Sequence, residues 1–559
     1  MNMWDFTPSE NSSQQSTLQN FSLVVFPFFS LTTPFIVFLD YYNYGLFHLE
    51  IFIGIMGFIV LSLLCSAVMK YGGFIGDKIF GFALITFFLS IQFGSSGEAL
   101  FALMLVAVAV LLLLLKENFN VLAAAIFAMF FVTSIFQALS TENVPSLEFN
   151  GLQAVAAEGP SMPRIIHIIL DEHIGIEGLP TDLSEGVQVK KQLREFYENY
   201  GFMTFGGAYS HYFHTVNSVA NLLNFSAASQ DRMYIKAGES PNTLVHNLYF
   251  ENLSSAGYRL NVWWGHHIDY CSNSPVVIDN CVQVPAGGLR LSQYVSLHVF
   301  DRVSLIFSGY LNLSKIYQKM RNYYQTFRNQ LAPYKIPFPS STWDRHKVTT
   351  LPYLFSFDDL WRNILSLPEG NAVLAHLLIP HYPYLTNSNC TIKTSINEWK
   401  YSSLLFTPNH PYLEGVHNTN ASRIAHYQEY LKQLQCVYVK LEELFEKMKT
   451  TGMFENSIII IHGDHGSRIV EREPTIEKKE KLSKQDIVAA YSTLFAVKLP
   501  GRSGAYDPNP YPIEYLLQEK IVNHLLEGKA AVAVPVPFVF LKSEDRTIKN
   551  LKPISYPAK

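Results

Sequence analysis

Charge is what this 559-residue chain has least of: Asp, Glu, Lys and Arg make up 16% of it, against the roughly 25% usual in soluble proteins. The shortage is concentrated. Residues 1–150 hold three lysines (Lys70, Lys78, Lys116), no arginine and nine acids, which leaves 39 basic and 37 acidic side chains in the other 409. A chain with no concentrated positive face is not a nucleic-acid binder. Five cysteines in this length exclude a small disulfide scaffold, and the absence of any C-x-x-C spacing argues against a thiolate metal site. No repeat or low-complexity tract interrupts the chain, so collagen-like and disordered classes fall away as well. What remains is a membrane block of net charge −6 followed by a near-neutral part of +2, large enough for a substantial core.

Five apolar stretches of about spanning length lie near 21–40, 50–69, 79–95, 99–115 and 119–139. The first is preceded by a polar segment without Lys or Arg and is followed by no small-residue cleavage site, the pattern of a retained anchor and not a signal peptide. Lys70 and Lys78 fall between the second and third stretches, and Lys116 between the fourth and fifth. The positive-inside rule places both loops in the cytoplasm, so the N-terminus is expected inside and everything after about residue 140 outside. The cysteines fit that topology. Cys65 lies within the second stretch, while Cys271, Cys281, Cys390 and Cys436 make an even four in the outer part. An oxidising compartment would pair Cys271 with Cys281 across a short loop and Cys390 with Cys436 by elimination; the alternative is four unpaired buried thiols.

Beyond a Ser/Pro/Gly-containing connector, Ile165-Ile166-His167-Ile168-Ile169-Leu170 is a short β-branched run that stops at Asp171-Glu172. Ile458-Ile459-Ile460-Ile461 likewise stops at His462-Gly463-Asp464-His465-Gly466, and Ala372–Leu378 runs into Ile379-Pro380-His381-Tyr382-Pro383. These read as buried strands of a parallel sheet that deliver polar side chains at their carboxyl ends, where open α/β sheets bind ligands. Ile424, Tyr427, Leu431, Leu434, Tyr438, Leu441, Phe445 and Met448 alternate steps of three and four, a helix stripe with Gly452 as its stop. Thr215 stands where a loop turns into a helix. Alone it reads as a cap. Together, a carboxylate pair, a hydroxyl at a helix start and Asp-His supply hard oxygen and borderline nitrogen ligands for a divalent cation, which would also lower the pKa of the Thr215 hydroxyl. His266-His267 after Trp263-Trp264-Gly265 reads as a strand end and not as a further metal site.

In this order, strand-Asp171-Glu172, Thr215 within Y-x-x-T-x-x-S-x-x-x-L-L-N, Pro380-His381-x-Pro383 and Ile-Ile-Ile-Ile-His-Gly-Asp464-His465-Gly, the sequence resembles the alkaline phosphatase superfamily in its membrane-anchored, sulfatase-like branch, which includes lipoteichoic acid synthases and lipid A phosphoethanolamine transferases. The resemblance implies a five-helix membrane bundle followed by an α/β alkaline-phosphatase-like (sulfatase-like) domain with a central, mostly parallel sheet. The boundaries expected are a membrane block at 1–150, a linker at 151–163, a catalytic domain at 164–500 and a small C-terminal subdomain at 501–559. It further implies Thr215 as nucleophile and metal ligand, Asp171, Asp464 and His465 as the other ligands with Glu172 a possible addition, His381 as a substrate-contacting proton carrier, and Asn217 and Arg468 as donors to the phosphoryl oxygens.

Two departures narrow the reading. No C-x-P-x-R surrounds Thr215, which disfavours sulfate-ester hydrolysis, and the residues after Gly466 lack the downstream histidine that phosphoethanolamine transferases and dizinc phosphatases carry, so one metal ion, Zn or Mn, is expected, as in the lipoteichoic acid synthases. The resulting expectation is a phosphotransferase of the bacterial inner membrane, its catalytic domain periplasmic or extracellular. It would move a phospholipid head group, phosphoethanolamine or phosphoglycerol, to an envelope glycan or glycolipid through a phospho-threonine. A hydrolase at the same site and a non-catalytic ligand-binding protein are the alternatives. Residues 299–330, which mix Phe300, Phe307 and Tyr310 with Lys315, Lys319, Arg321 and Arg328, read either as an interfacial helix or as one packed on its own domain.

Overall fold

The computed structural model describes residues 9–42, 44–92, 98–115, 118–140, 147–153, 162–236, 241–265, 267–284, 296–331, 350–399, 419–526, 533–543 and 551–557. Lys116, His266, most of the expected linker and the side chain of Arg328 lie outside the described residues. The chain divides into two units, Met1–Pro145 with Leu289–His346, and Ser146–Gly288 with Lys347–Lys559.

The first unit opens with helices α1 (Ser9–Tyr41), α2 (Leu49–Tyr71), α3 (Gly73–Gln92), α4 (Glu98–Leu115) and α5 (Asn118–Ser140). Thr17–Tyr41, Leu49–Tyr71, Ile75–Gln92 and Asn118–Leu139 are long and apolar enough to cross a membrane, whereas the apolar run Ala99–Leu115 is shorter. Their outward side chains are apolar; Phe52, Leu64, Leu103 and Leu114 are all exposed. That inverts the soluble pattern and suits a lipid solvent, in which helices satisfy their own backbone groups.

Residues expected within the catalytic domain complete this unit. The helix Val299–Asn312 packs against α2, with Phe307 stacked on Phe35 at a ring distance of 5.3 Å. Tyr310, fully buried, donates to the carbonyl of Leu31 at 3.0 Å, and Arg302 pairs with the buried Glu50 at 3.3 Å. Ser314 Oγ meets Ser90 Oγ at 2.7 Å. The expected boundary at 164–500 therefore gives way to an excursion, because the aromatic face of Val299–Asn312 finds its partners among α1 to α3.

The second unit is an α/β domain. Its strands are β1 (Arg164–Leu170), β2 (Met203–Phe205), β3 (Asn242–Thr243), β4 (Arg259–Trp264), β5 (Ile268–Asp269), β6 (Asn280–Gln283), β7 (Asn371–Leu377), β8 (Ser457–Gly463), β9 (Phe495–Lys498), β10 (Ala505–Asp507), β11 (Phe538–Leu541) and β12 (Lys552–Ser555). Eight of them form one sheet in the order β10-β2-β9-β8-β1-β7-β4-β6. Pairing is parallel throughout except where β9 runs against β8 and β2. The three apolar runs of the sequence are its centre, with β1 between β7 and β8; Ile169 is level with both His376 and His462. Every residue of β7 and β8 is buried, the condition that a near-continuous apolar strand satisfies.

The stripe from Ile424 to Met448 is the helix Asn420–Thr450, capped by Thr419 and followed by Gly452 at φ 68°. Cys271–Cys281 and Cys390–Cys436 are disulfides, and Cys65 is free. Residues 501–559 do not stand apart as a subdomain. β10 pairs with β2, and Ile513, Leu516, Leu517, Ile521 and Val522 join the core beneath the sheet.

Two outcomes follow from this packing. A Cβ on Gly54 would lie 2.9 Å from Phe307 Cε2 and 3.0 Å from Cζ, so Gly54→Val is expected to cost about 1–3 kcal/mol by overpacking, read as a lowered thermal midpoint of the full-length protein in detergent. In the second unit, burial pushes the Glu514 carboxyl up to about 8, the backbone N–H groups of Glu514 and His211 offsetting only part of that. Its proton is then retained in the folded state but lost from the unfolded one between pH 4.5 and 8, so the carboxyl lowers stability progressively over that window. Glu514→Gln should come close to the wild type near pH 4.5 and exceed it at pH 8 by on the order of 4 kcal/mol, measured by urea unfolding at the two pH values.

Candidate active site

β1 ends by hydrogen-bonding Asp171 N to Leu377 O at 2.9 Å, and the chain then turns through a left-handed Glu172 at φ 64°. Such a conformation is uncommon for a residue with a Cβ. It is held by Tyr430, whose hydroxyl donates to Glu172 O at 2.8 Å and accepts from Ile174 N at 3.0 Å. The consequence is that two adjacent acids part company.

Asp171 joins Asp464 and His465 from the end of β8. These three buried residues each offer a ligand atom, all within 4.8 Å of one another. Asp464 Oδ1 accepts from Glu172 N at 3.0 Å and from His465 N at 2.9 Å, which fixes its carboxylate. Asp464 Oδ2 and Asp171 Oδ1 accept no hydrogen bond, although buried acceptors ordinarily have one. His465 Nδ1 faces Gly466 O at 2.9 Å. That acceptor assigns the ring proton to Nδ1 and turns the Nε2 lone pair to the acids, the hydrogen bond by which a metal-ligating histidine is oriented. Burial, and then the Arg468 charge, hold His465 well below the usual imidazole range, so the ring is neutral. Asp171 is held well above the carboxylate range, first by burial and then by the charges of Asp464 and Glu172. Two orphaned carboxylate oxygens and a neutral imidazole nitrogen fit a divalent cation.

Thr215 begins the helix Thr215–Leu222, but its hydroxyl caps nothing; the N-cap position is His214, without a side-chain cap bond. Thr215 Oγ1 lies instead 3.2 Å from His465 Nε2 and 3.5 Å from Asp171 Oδ2. Ser218, one turn on, donates to Asp464 O and meets Ser210 Oγ at 2.8 Å, tying the helix to the β8 loop.

Glu172, weighed as an addition to the ligands beside Asp171, is engaged elsewhere in the structure. The left-handed turn sends its side chain to Arg468, which donates from Nε at 2.7 Å and again from Nη2. His381 completes this neighbouring trio: its Nε2 is 3.2 Å from Arg468 Nη2 and 3.7 Å from Glu172 Oε1, and its Nδ1 faces Tyr382 O. Burial pushes Glu172 up to about 7 against the opposing pull of Arg468. The Asn217 amide, expected to face phosphoryl oxygens, donates to Asp231 at 2.6 Å and accepts from Arg232 N at 2.8 Å; it ties down a loop. His376, which sequence reasoning treated only as a strand residue, has Nε2 4.0 Å from Asp171 Oδ2 and Nδ1 2.8 Å from Tyr270 Oη. A polar residue inside an all-buried apolar run was the available signal.

The site is thus built by an eight-stranded, mostly parallel sheet with ligand-type side chains at the ends of its central strands, and the chain is similar to a set of solved structures. They include a protein in the alkaline phosphatase superfamily from Vibrio parahaemolyticus (12% identity over 74% of this chain and 80% of that one, TM-score 0.38). A phosphonate monoester hydrolase of Agrobacterium radiobacter matches at 12% identity over 68% and 80%, TM-score 0.38. The C-terminal periplasmic domain of EcEptC from Escherichia coli, in complex with Zn, matches at 11% identity over 74% and 97%, TM-score 0.36. No family model and no curated protein matches the sequence. At these values the neighbours carry no argument about reaction or substrate, which rests on the residues described above.

The cluster makes metal removal a direct test. The full-length protein is expected to carry one Zn or Mn per chain by elemental analysis. Asp464→Asn should lose affinity by more than the roughly 10–100-fold typical of an outer-partner loss. An Asp464→Asn protein with undiminished metal content would refute the assignment.

Proposed function

We propose that this protein is a membrane-bound, single-metal phosphotransferase that moves a phospholipid head group, phosphoethanolamine or phosphoglycerol, onto an envelope glycan or glycolipid. The observation that carries the reading is the Thr215 hydroxyl at the start of its helix, which faces Asp171 and His465. Asp171, Asp464 and His465 would hold one Zn or Mn ion, with Thr215 as a further ligand. When bound, that ion supplies charge neutralisation for the phosphoryl oxygens and a lowered pKa for the Thr215 hydroxyl.

In the first half-reaction Thr215 Oγ bonds to the phosphorus of the donor while the bond from phosphorus to the diacylglycerol oxygen breaks, and the alcohol leaves with a proton. In the second, an acceptor hydroxyl attacks the phospho-threonine, loses its proton and releases Thr215. His381, with its Nδ1 proton directed at Tyr382 O, offers Nε2 to carry that proton. Arg468, braced by Glu172, supplies positive charge beside the phosphoryl group. The four helices able to cross a membrane support a site close to lipid donors, and the lysine distribution supports a second unit on the outer face of a bacterial inner membrane. The two disulfides suit that compartment.

Incubation with head-group-labelled phospholipid tests the reading. Wild type should acquire label on Thr215, and Thr215→Ala should lose turnover by more than about 1000-fold. Label passing only to water would replace the transferase by a phosphodiesterase. No turnover of any phosphoester, with metal still bound, would leave a ligand-binding protein.

A further inference from the structure

The excursion into the first unit does not end with Val299–Asn312. After Ser314 the chain forms a second helix, Lys315–Leu331. Its starting level is fixed, because Ser314 meets Ser90, two residues short of the end of α3 at Gln92. Glu50, the partner of Arg302, lies in the first turn of α2. Both contacts are thus at the same end of the antiparallel α2–α3 pair. Between them the excursion dips inward. Leu31, which Tyr310 reaches, is ten residues from the end of α1 at Tyr41, about 15 Å along the axis at 1.5 Å per residue. Lys315–Leu331 emerges where spanning helices reach the membrane surface and keeps contact with α3. Arg321 donating to Asn312 Oδ1 at 2.7 Å and Gln318 to Asn312 O at 2.6 Å set its departure from the preceding helix.

Its side chains are sorted. Ile316, Met320, Tyr323 and Phe327 recur at steps of four, three and four, one stripe of a helix. Met320 is 63% exposed, Tyr323 76% and Phe327 51%. Lys319 borders the stripe, and Lys315 and then Asn322 lie further round the same flank, outside it. An exposed apolar stripe flanked by lysines, beginning at the end of a helix bundle of spanning length, has the composition of an interfacial helix. We propose that Lys315–Leu331 lies along the surface of the membrane that the bundle crosses, its stripe in the boundary between head groups and acyl chains, and Lys315 and Lys319 against the phosphates of anionic phospholipids. Continuity with the spanning helices and charge complementarity select lipid as the occupant. The inference is independent of the phosphotransfer reading, and a Thr215→Ala protein should behave identically.

The test uses the full-length chain with Cys65→Ser, carrying a single fluorophore at Tyr323→Cys or, as control, Asn322→Cys, in nanodiscs of phosphatidylcholine with or without phosphatidylglycerol. Acyl-brominated lipid should quench the Tyr323→Cys label at least about threefold more than the Asn322→Cys label, since only the stripe reaches the acyl boundary. Equal quenching, or none at either position, would place the helix against protein and overturn the proposal. Phosphatidylglycerol should raise the quenching at position 323, and Lys315→Gln with Lys319→Gln should abolish that rise; a rise that survives the double substitution would overturn the anionic-lipid assignment. The four positions substituted in Lys315–Leu331 lie on its surface, and a thermal midpoint matching that of the Cys65→Ser parent separates each result from misfolding.

Discussion

Three carboxylates, Asp171, Glu172 and Asp464, are buried together at the end of the sheet, and one guanidinium, that of Arg468, lies among them. Buried charge is tolerated only when paired or bound to metal. Arg468 compensates Glu172, which leaves Asp171 and Asp464 with facing oxygens and no proton donor between them. Much of the surrounding architecture can be read as support for that imbalance. Tyr430 holds the left-handed turn that separates the acids, backbone N–H groups anchor one oxygen of Asp464, and Gly466 O orients His465.

The sheet explains why these residues meet. β1 lies between β7 and β8, in parallel with both, so all three chains leave the sheet at the same end. Three loops distant in sequence then contribute Asp171, His381 and Asp464-His465. The helix of Thr215 is fastened to the last of these by Ser218. Deeper in the sheet, His167 Nε2 and His462 Nε2 lie 2.7 Å apart, with His167 also bonded to Tyr249 and His462 to Gly463 O. Polar side chains within apolar strands are thus joined to one another beneath the site.

How much of this was legible in the sequence depends on the distance over which each feature is determined. The strands β1, β7 and β8 and the helix Asn420–Thr450 declare themselves by local periodicity, and the clustering of Asp171, Thr215, Asp464 and His465 follows from a shared strand direction together with the family resemblance. The path of the Glu172 side chain was not legible, because it depends on one positive φ stabilised by a tyrosine 258 residues away. The contacts of Asn217 were not legible for a similar reason: its partners, Asp231 and Arg232, come from a loop that carries no periodic signal. The role of Val299–Asn312 was hidden because an amphipathic helix shows that it needs an apolar partner without showing which one.

That helix has a bearing on how the molecule is made. The five apolar helices precede residue 145, yet the contacts of Phe35, Gly54, Leu31 and Ser90 are supplied by residues 302–314, synthesised some 160 residues later. The bundle that first enters the bilayer therefore lacks a wedge, and must wait with an open aromatic seam while β1, β2 and β4 emerge. Its maturation is tied to the progress of the polypeptide behind it. By the same logic, a fragment begun after residue 145 would expose Phe307 and Tyr310 with no seam to receive them, so cutting the chain at the apparent end of its membrane block would not yield a clean soluble domain.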